Sequence, residues 1–315
     1  MYGRRAQKIK IPNEDEEVNN NYLVDKKKNE LSVDPKRFGI WDPTTLKNNF
    51  AMVILGRRGT GKTFILKDIL NKLKDRFDEA YLFSQTSDIQ PIEAYGFIPE
   101  ENQYNNFDVE VISSIYKRQE DRKRRNRRMD GIMKEKDNHI LIVFDDMIND
   151  PRLRGSEWIS KIFVSSRHCD ISCIILSQEI GSKGGVNKVC LANSDAVVTF
   201  SIMAEYDRDL IAAKFGSIIS KKEGLAIITS IPKEIKYQAV VLHTEISHIS
   251  KYEDYIFKYL AKEKCPDFVI GEKKAAEKRR TTARSKFQLF PATKTPEYEF
   301  NMPYYPYEDL CSFGQ

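Results

Sequence analysis

The sequence predicts an α/β fold in which a mostly parallel central sheet carries helices on both faces, with flexible charged extensions at the N- and C-terminal ends. Three observations predict it. Largely apolar runs at residues 50–55 (FAMVIL), 140–144 (ILIVF) and 172–177 (SCIILS) have the length and composition of strands buried on both faces, the signature of parallel sheets. The first run opens directly into a glycine-rich loop, and apolar residues spaced three and four apart follow, giving a strand–loop–helix unit. The second run ends abruptly in two aspartates, at the strand end where open α/β sheets bind ligands.

Taken in order, residues 1–38 are polar and charged without apolar periodicity and read as a flexible arm. A folded core is expected over 39–262. Its first helix carries Leu66, Ile69, Leu70, Leu73 and Phe77 on one face, and a second strand follows at residues 79–83 (EAYLF). Turn signals fill residues 85–107, and a helix starts near Val109. Its apolar residues Ile112, Ile115 and Tyr116 stop before KRQEDRKRRNRR (residues 117–128), where eight basic and two acidic side chains give +6 in twelve positions. Having no apolar residue, this stretch is expected to project into solvent or onto a ligand, as part of a basic insertion at about 109–137. Further strands are expected at 196–202, 225–231 and 237–243, the last two as a hairpin, with a helix over about 205–215 before them. Residues 263–315 read as a tail, first basic (273–286), then rich in tyrosine and proline (296–310).

Composition narrows the function classes. A chain of 315 residues with 41% hydrophobic content can bury a sizeable core. No run approaches the roughly 18 apolar residues of a bilayer span, and the N-terminal segment has no signal-peptide core, so a chain that stays in the compartment where it is made is expected. Cys169, Cys173, Cys190, Cys265 and Cys311 form no C-x-x-C pair and no disulfide framework, as suits a reducing setting. The net charge of +5 is modest, whereas the clusters at 117–128 and 273–286 are local enough to contact a phosphate backbone.

The chemistry resides in the loop and the strand ends. Gly56-Arg57-Arg58-Gly59-Thr60-Gly61-Lys62-Thr63 matches G-x-x-x-x-G-K-[ST] at every position, a loop that wraps backbone N–H groups around phosphates and aims a helix N-terminus at them. Lys62 would then reach the β- and γ-phosphates, and the Thr63 hydroxyl would ligate Mg2+. Asp145 is expected to hold the same metal and Asp146 to orient and deprotonate the attacking water. Gln178, at the end of the 172–177 strand, has an amide suited to sensing the γ-phosphate or holding that water. Arg167 and His168, just before that strand, lie either at the active edge of the sheet or in an ordinary helix-to-strand turn.

The loop GRRGTGKT, the strand ILIVFDD and the block KIFVSSRHCDISCIILSQ followed by NSDAVVTF together resemble the poxvirus-type genome-packaging ATPases of large DNA viruses, within the FtsK/HerA superfamily. The resemblance covers residues 48–245. It implies a RecA-like core, ATP hydrolysis coupled to driving double-stranded DNA into a preformed capsid, a homo-oligomeric ring, contact with capsid or portal-vertex proteins, and location in the virion and the cytoplasmic virus factory. It assigns Lys62 and Thr63 to nucleotide and metal, Asp145 and Asp146 to metal and water, and Gln178 to a sensor. It also implies an arginine finger from a neighbouring subunit, for which Arg167 is the first choice and Arg208 the second. The second acidic residue is Asp where many relatives in the wider superfamily have Glu, and the 117–128 segment is unusually basic. The competing readings are a related translocase or helicase in replication or conjugation, a nucleotide kinase with an arginine-rich lid, and a non-enzymatic nucleotide switch.

Overall fold

The computed structural model describes residues 23–25, 30–32, 35–85, 92–129, 135, 138–147, 150, 152, 157–181, 186–200, 205–214, 221–230, 235, 237–244, 252–262 and 264–271. Within the stretch expected as an arm, β1 (Leu23–Asp25) and β2 (Glu30–Ser32) pair antiparallel. Among the described residues, the central sheet has eight strands: β3 (Ala51–Leu55), β4 (Glu79–Ser84), β5 (Gln103–Tyr104), β6 (Ile140–Asp145), β7 (Ile171–Ser177), β8 (Ala196–Thr199), β9 (Gln238–His243) and β10 (Ile256–Leu260). Their spatial order is β10-β9-β8-β3-β7-β6-β4-β5. From β8 to β5 every pairing is parallel, and β9 joins both β8 and β10 antiparallel. The α/β expectation, a mostly parallel sheet between helices, holds.

Alternation along the strands explains why both faces are covered. Val53, Leu55, Phe144 and Ile175 belong to one buried cluster, with side chains from α3 (Val109–Arg128), α4 (Glu157–Ser165), α5 (Lys188–Asn193), α6 (Glu205–Lys214) and α7 (Lys221–Ser230). Met52, Ile54, Leu82 and Leu176 turn the other way, against α1 (Lys62–Leu73) and Tyr95 of α2 (Ile92–Tyr95). Each strand therefore loses its apolar side chains to water on both sides, which is why these segments read as unbroken apolar runs.

Four expectations are corrected. Residues 221–230 form helix α7, not a hairpin strand; Gly224, Ala226, Ile227 and Ile228 are its buried residues, and β9 already has partners on both edges. A short apolar run carries no period of its own, so tertiary packing decides its state. The region 85–107 supplies α2 and the edge strand β5 as well as turns. The basic segment 117–128 continues α3 without a break, and it does not simply project: Gln119 and Arg122 are buried. The packed body also runs past residue 262. Ile270 is buried and donates its N–H to the Phe97 carbonyl at 2.9 Å, and Phe268 stacks on Phe97. By its contacts the chain divides into Met1–Glu272 and Lys273–Gln315; the second unit, with the expected second basic cluster and the tyrosine- and proline-rich tail, lies outside the described residues. Among the described residues, no helix is long and apolar enough to cross a membrane.

Candidate active site

The glycine loop leaves β3 in the middle of the sheet, and the Gly56 N–H donates to the Ser177 carbonyl at 3.1 Å, tying the loop to the end of β7. Two of its glycines are sterically required. A Cβ on Gly56 would lie 2.6 Å from the Thr60 hydroxyl oxygen and 2.8 Å from the Phe200 ring. Gly61 has φ +98°, a left-handed conformation that L side chains rarely adopt, and a Cβ there would meet the Tyr237 ring at 2.6 Å. Thr60 closes the loop by donating its hydroxyl to the Arg57 carbonyl at 2.8 Å, while Arg57, Arg58 and Gly59 are exposed. Lys62 and Thr63 begin α1, so the helix N-terminus and its free N–H groups follow the loop directly. The Lys62 ammonium reaches back to the Gly56 and Arg57 carbonyls, at 2.8 and 3.2 Å. Burial lowers its pKa, and the nearby Asp145 and Asp146 charges oppose that shift.

Sheet order explains how the other expected residues meet. Because β7 lies between β3 and β6, Gln178 at its end stands between the glycine loop and the two aspartates that end β6. Gln178 Nε2 donates to both Asp146 carboxylate oxygens, at 3.0 and 3.1 Å. Asp146 itself has φ +51°, which turns its side chain off the strand line; Asp tolerates that region better than most residues. Asp145 is 3% exposed, and burial pushes its carboxyl up to about 6, against the Tyr95 hydrogen bond and the Lys62 charge, which favour the anion. Lys62, Thr63, Asp145, Asp146 and Gln178 thus share the C-terminal edge of the sheet, as expected.

Arg167 does not join them. It lies in the turn Ser166–Cys169, ahead of the first residue of β7, at the opposite edge. Seven residues of strand separate that edge from Gln178, about 23 Å at 3.3 Å per residue. The reading of Arg167 and His168 at the active edge is therefore corrected; they occupy the helix-to-strand turn. Arg167 is half-exposed and pairs with Asp195 at 3.6 Å. His168 lines a cavity of about 260 Å³ with Glu120, Lys123, Arg124, Arg127 and Cys169. Arg208 sits on α6 beside Asp207, whose carboxylate accepts the Ile180 N–H at 3.1 Å, and the Arg208 Nε is buried with no hydrogen-bond partner among the described residues.

The basic segment is divided. Arg118 pairs with Glu79 at 2.6 Å, Arg125 with Glu135 at 2.6 Å, and Arg122 and Lys123 both with Asp170, at 2.6 and 2.7 Å. Arg124 and Arg127 are exposed and make no ion pair among the described residues.

Two aromatic residues at the site escaped the sequence reading. Tyr95, buried at 2% exposure, donates its hydroxyl to Asp145 Oδ2, with the Thr63 and Ser84 hydroxyls also in hydrogen-bonding reach. Burial first, then the Asp145 charge, drives its pKa up, so it remains a donor. Tyr237, at φ +64°, packs its ring on Gly61 and lies 5.5 Å from the Phe64 ring. Tyr95 stands among turn signals and Tyr237 opens the expected strand at 237–243; neither belongs to a motif that could have marked it.

The family model described as Poxvirus A32 protein matches residues 41–265. A curated relative, Uncharacterized protein 015R of Frog virus 3 (isolate Goorha), is 24% identical over 175 residues, which cover 54% of this chain and 50% of that protein. The chain thus spans about half the length of the curated relative it matches. Among solved structures, the genome packaging NTPase B204 from Sulfolobus turreted icosahedral virus 2 in complex with ATP-gammaS aligns at 10% identity over 68% of this chain and 100% of that chain, with a TM-score of 0.43. EssC (ATPases 2 and 3) from Geobacillus thermodenitrificans aligns at 14% identity over 77% of this chain and 45% of that chain, with a TM-score of 0.46.

Proposed function

The chain belongs to the Poxvirus A32 protein family, and on that premise we propose that it is an ATP-hydrolysing motor that drives double-stranded viral DNA into a preformed capsid. The observation that carries the reading is the meeting of Lys62, Asp145 and the Asp146–Gln178 pair at one edge of the sheet.

In this reading the loop amides and the start of α1 bind the triphosphate, and Lys62 exchanges its loop carbonyls for β- and γ-phosphate oxygens. Thr63 and Asp145 would hold magnesium, which when bound would supply neutralisation of the charge that develops on the transferred phosphoryl group. The donors fit it: the Thr63 hydroxyl and the Asp145 carboxylate are hard oxygens, and Mg2+ takes few protein ligands because phosphates and water complete its shell. Burial disfavours the Asp145 anion, and a bound cation would offset that penalty. Asp146, half-buried and held by the Gln178 amide, aligns a water and takes its proton. Adjacent carboxylates braced by an amide suit water activation better than transfer to a second substrate, which disfavours the kinase reading.

Arg167 lies too far from its own glycine loop to act there, so a role in hydrolysis requires a neighbouring subunit's nucleotide and hence a ring. DNA contact falls to Lys117, Arg124, Arg127 and Arg128, which are exposed and make no ion pair among the described residues, rather than to the whole basic segment, whose other four basic side chains are paired. Capsid or portal-vertex partners and a place in the virion and virus factory follow from the packaging role.

The experiment is steady-state ATP hydrolysis by the purified protein with and without double-stranded DNA. Stimulation by DNA that Lys62→Ala, Asp146→Asn and Arg167→Ala each abolish, with nucleotide binding retained in Arg167→Ala, supports the reading. Hydrolysis indifferent to DNA would sink it.

A further inference from the structure

We propose that Tyr95 is a positioning residue for Asp145: its hydroxyl holds one carboxylate oxygen and leaves the other for a divalent cation. This rests on the reading of Asp145 as the metal-holding carboxylate.

A phenol oxygen has one hydrogen to give and can accept two. The hydrogen goes to Asp145 Oδ2, and the Thr63 and Ser84 hydroxyls lie in reach of the same oxygen. The hydroxyl therefore braces the end of β6, with the start of α1 and the end of β4 close by. Tyr95 is itself pinned. Its carbonyl accepts from the Ile98 N–H at 2.9 Å and from Gln103 Nε2 at 3.4 Å, and Gln103 Nε2 also reaches the Ile98 carbonyl at 2.7 Å. Its ring lies 6.3 Å from that of Phe97, which stacks on Phe268 at 5.6 Å. A side chain so buried and so held is a rigid support, not a swinging gate. Partners of this kind fix the orientation of a metal-binding carboxylate, and their removal weakens metal affinity by about 10- to 100-fold. A purely structural tyrosine would instead cost stability and leave metal affinity alone.

The test uses Mn2+ as the probe, with paramagnetic resonance of the free ion as readout, on the full chain loaded with a non-hydrolysable ATP analogue. Tyr95→Phe keeps the ring and removes the hydroxyl; it is expected to weaken Mn2+ binding about 10- to 100-fold and leave analogue affinity in EDTA unchanged. Ser84→Ala, which removes one partner of the hydroxyl and keeps the ring, is expected to weaken Mn2+ binding by a smaller factor. Unchanged Mn2+ affinity in Tyr95→Phe, or an equal loss of metal-free analogue binding, overturns the proposal. Asp145→Asn separates the two readings. If it loses Mn2+ while Tyr95→Phe does not, only the role of Tyr95 fails; if it binds Mn2+ normally, the assignment of Asp145 fails with it.

Discussion

Asp145 sets function against stability at a single position. Its carboxyl titrates near 6 in the folded chain, against 3.8 for the free group, because burial penalises the anion. Between those values the metal-free folded state holds more protons than the unfolded state, so this group's contribution is complete below pH 4 and is lost as pH rises through about 6. The shift corresponds to about 3 kcal/mol. Chemical denaturation in EDTA should therefore find Asp145→Asn more stable than the parent at pH 7, with the advantage shrinking toward pH 4; an Asn variant that is less stable at pH 7 would contradict this. Asp145 and its neighbour were legible in the sequence because a charged pair ending an apolar strand has few structural uses. Tyr95 was not, since what makes it matter is the meeting of three chain segments far apart in sequence.

Helix α3 shows what a basic stretch can conceal. Read as a string, residues 117–128 look like a solvated or ligand-facing surface. Folded, they put Arg122 and Asp170 together at 6% and 8% side-chain exposure, with Lys123 on the same carboxylate. Asp170→Asn keeps a residue tolerant of φ +53° and removes the carboxylate charge paired with a buried guanidinium, which should cost about 3 kcal/mol or more in denaturant unfolding. Arg124→Glu with Arg127→Glu touches no ion pair among the described residues; it should leave stability within about 0.5 kcal/mol and weaken double-stranded DNA binding at low salt. Equal losses of stability in both variants would mean that the segment is wholly structural. The strands were readable from unbroken apolar runs, and α1 from its period. Helix α7 was misread because its run of four apolar residues, 225–228, fits either period, and only the pairing of β9 with β8 and β10 excludes another strand.

At the scale of the whole molecule, two opposite edges of one sheet divide the work. The edge where β3, β6 and β7 end gathers the nucleotide chemistry, and the edge where β7 begins presents Arg167 and His168 together with Arg124 and Arg127 of α3. Such polarity suits a ring in which one subunit's second edge serves its neighbour's first. The sequence could predict both groups of residues but not their separation, because the side from which a strand is entered depends on the topology. The central claim is that hydrolysis moves DNA, and the most direct measurement is ATP-dependent displacement of a third strand annealed to a double-stranded DNA track. The account predicts displacement that requires ATP and disappears in Asp146→Asn; DNA-stimulated hydrolysis with the third strand left in place would contradict it.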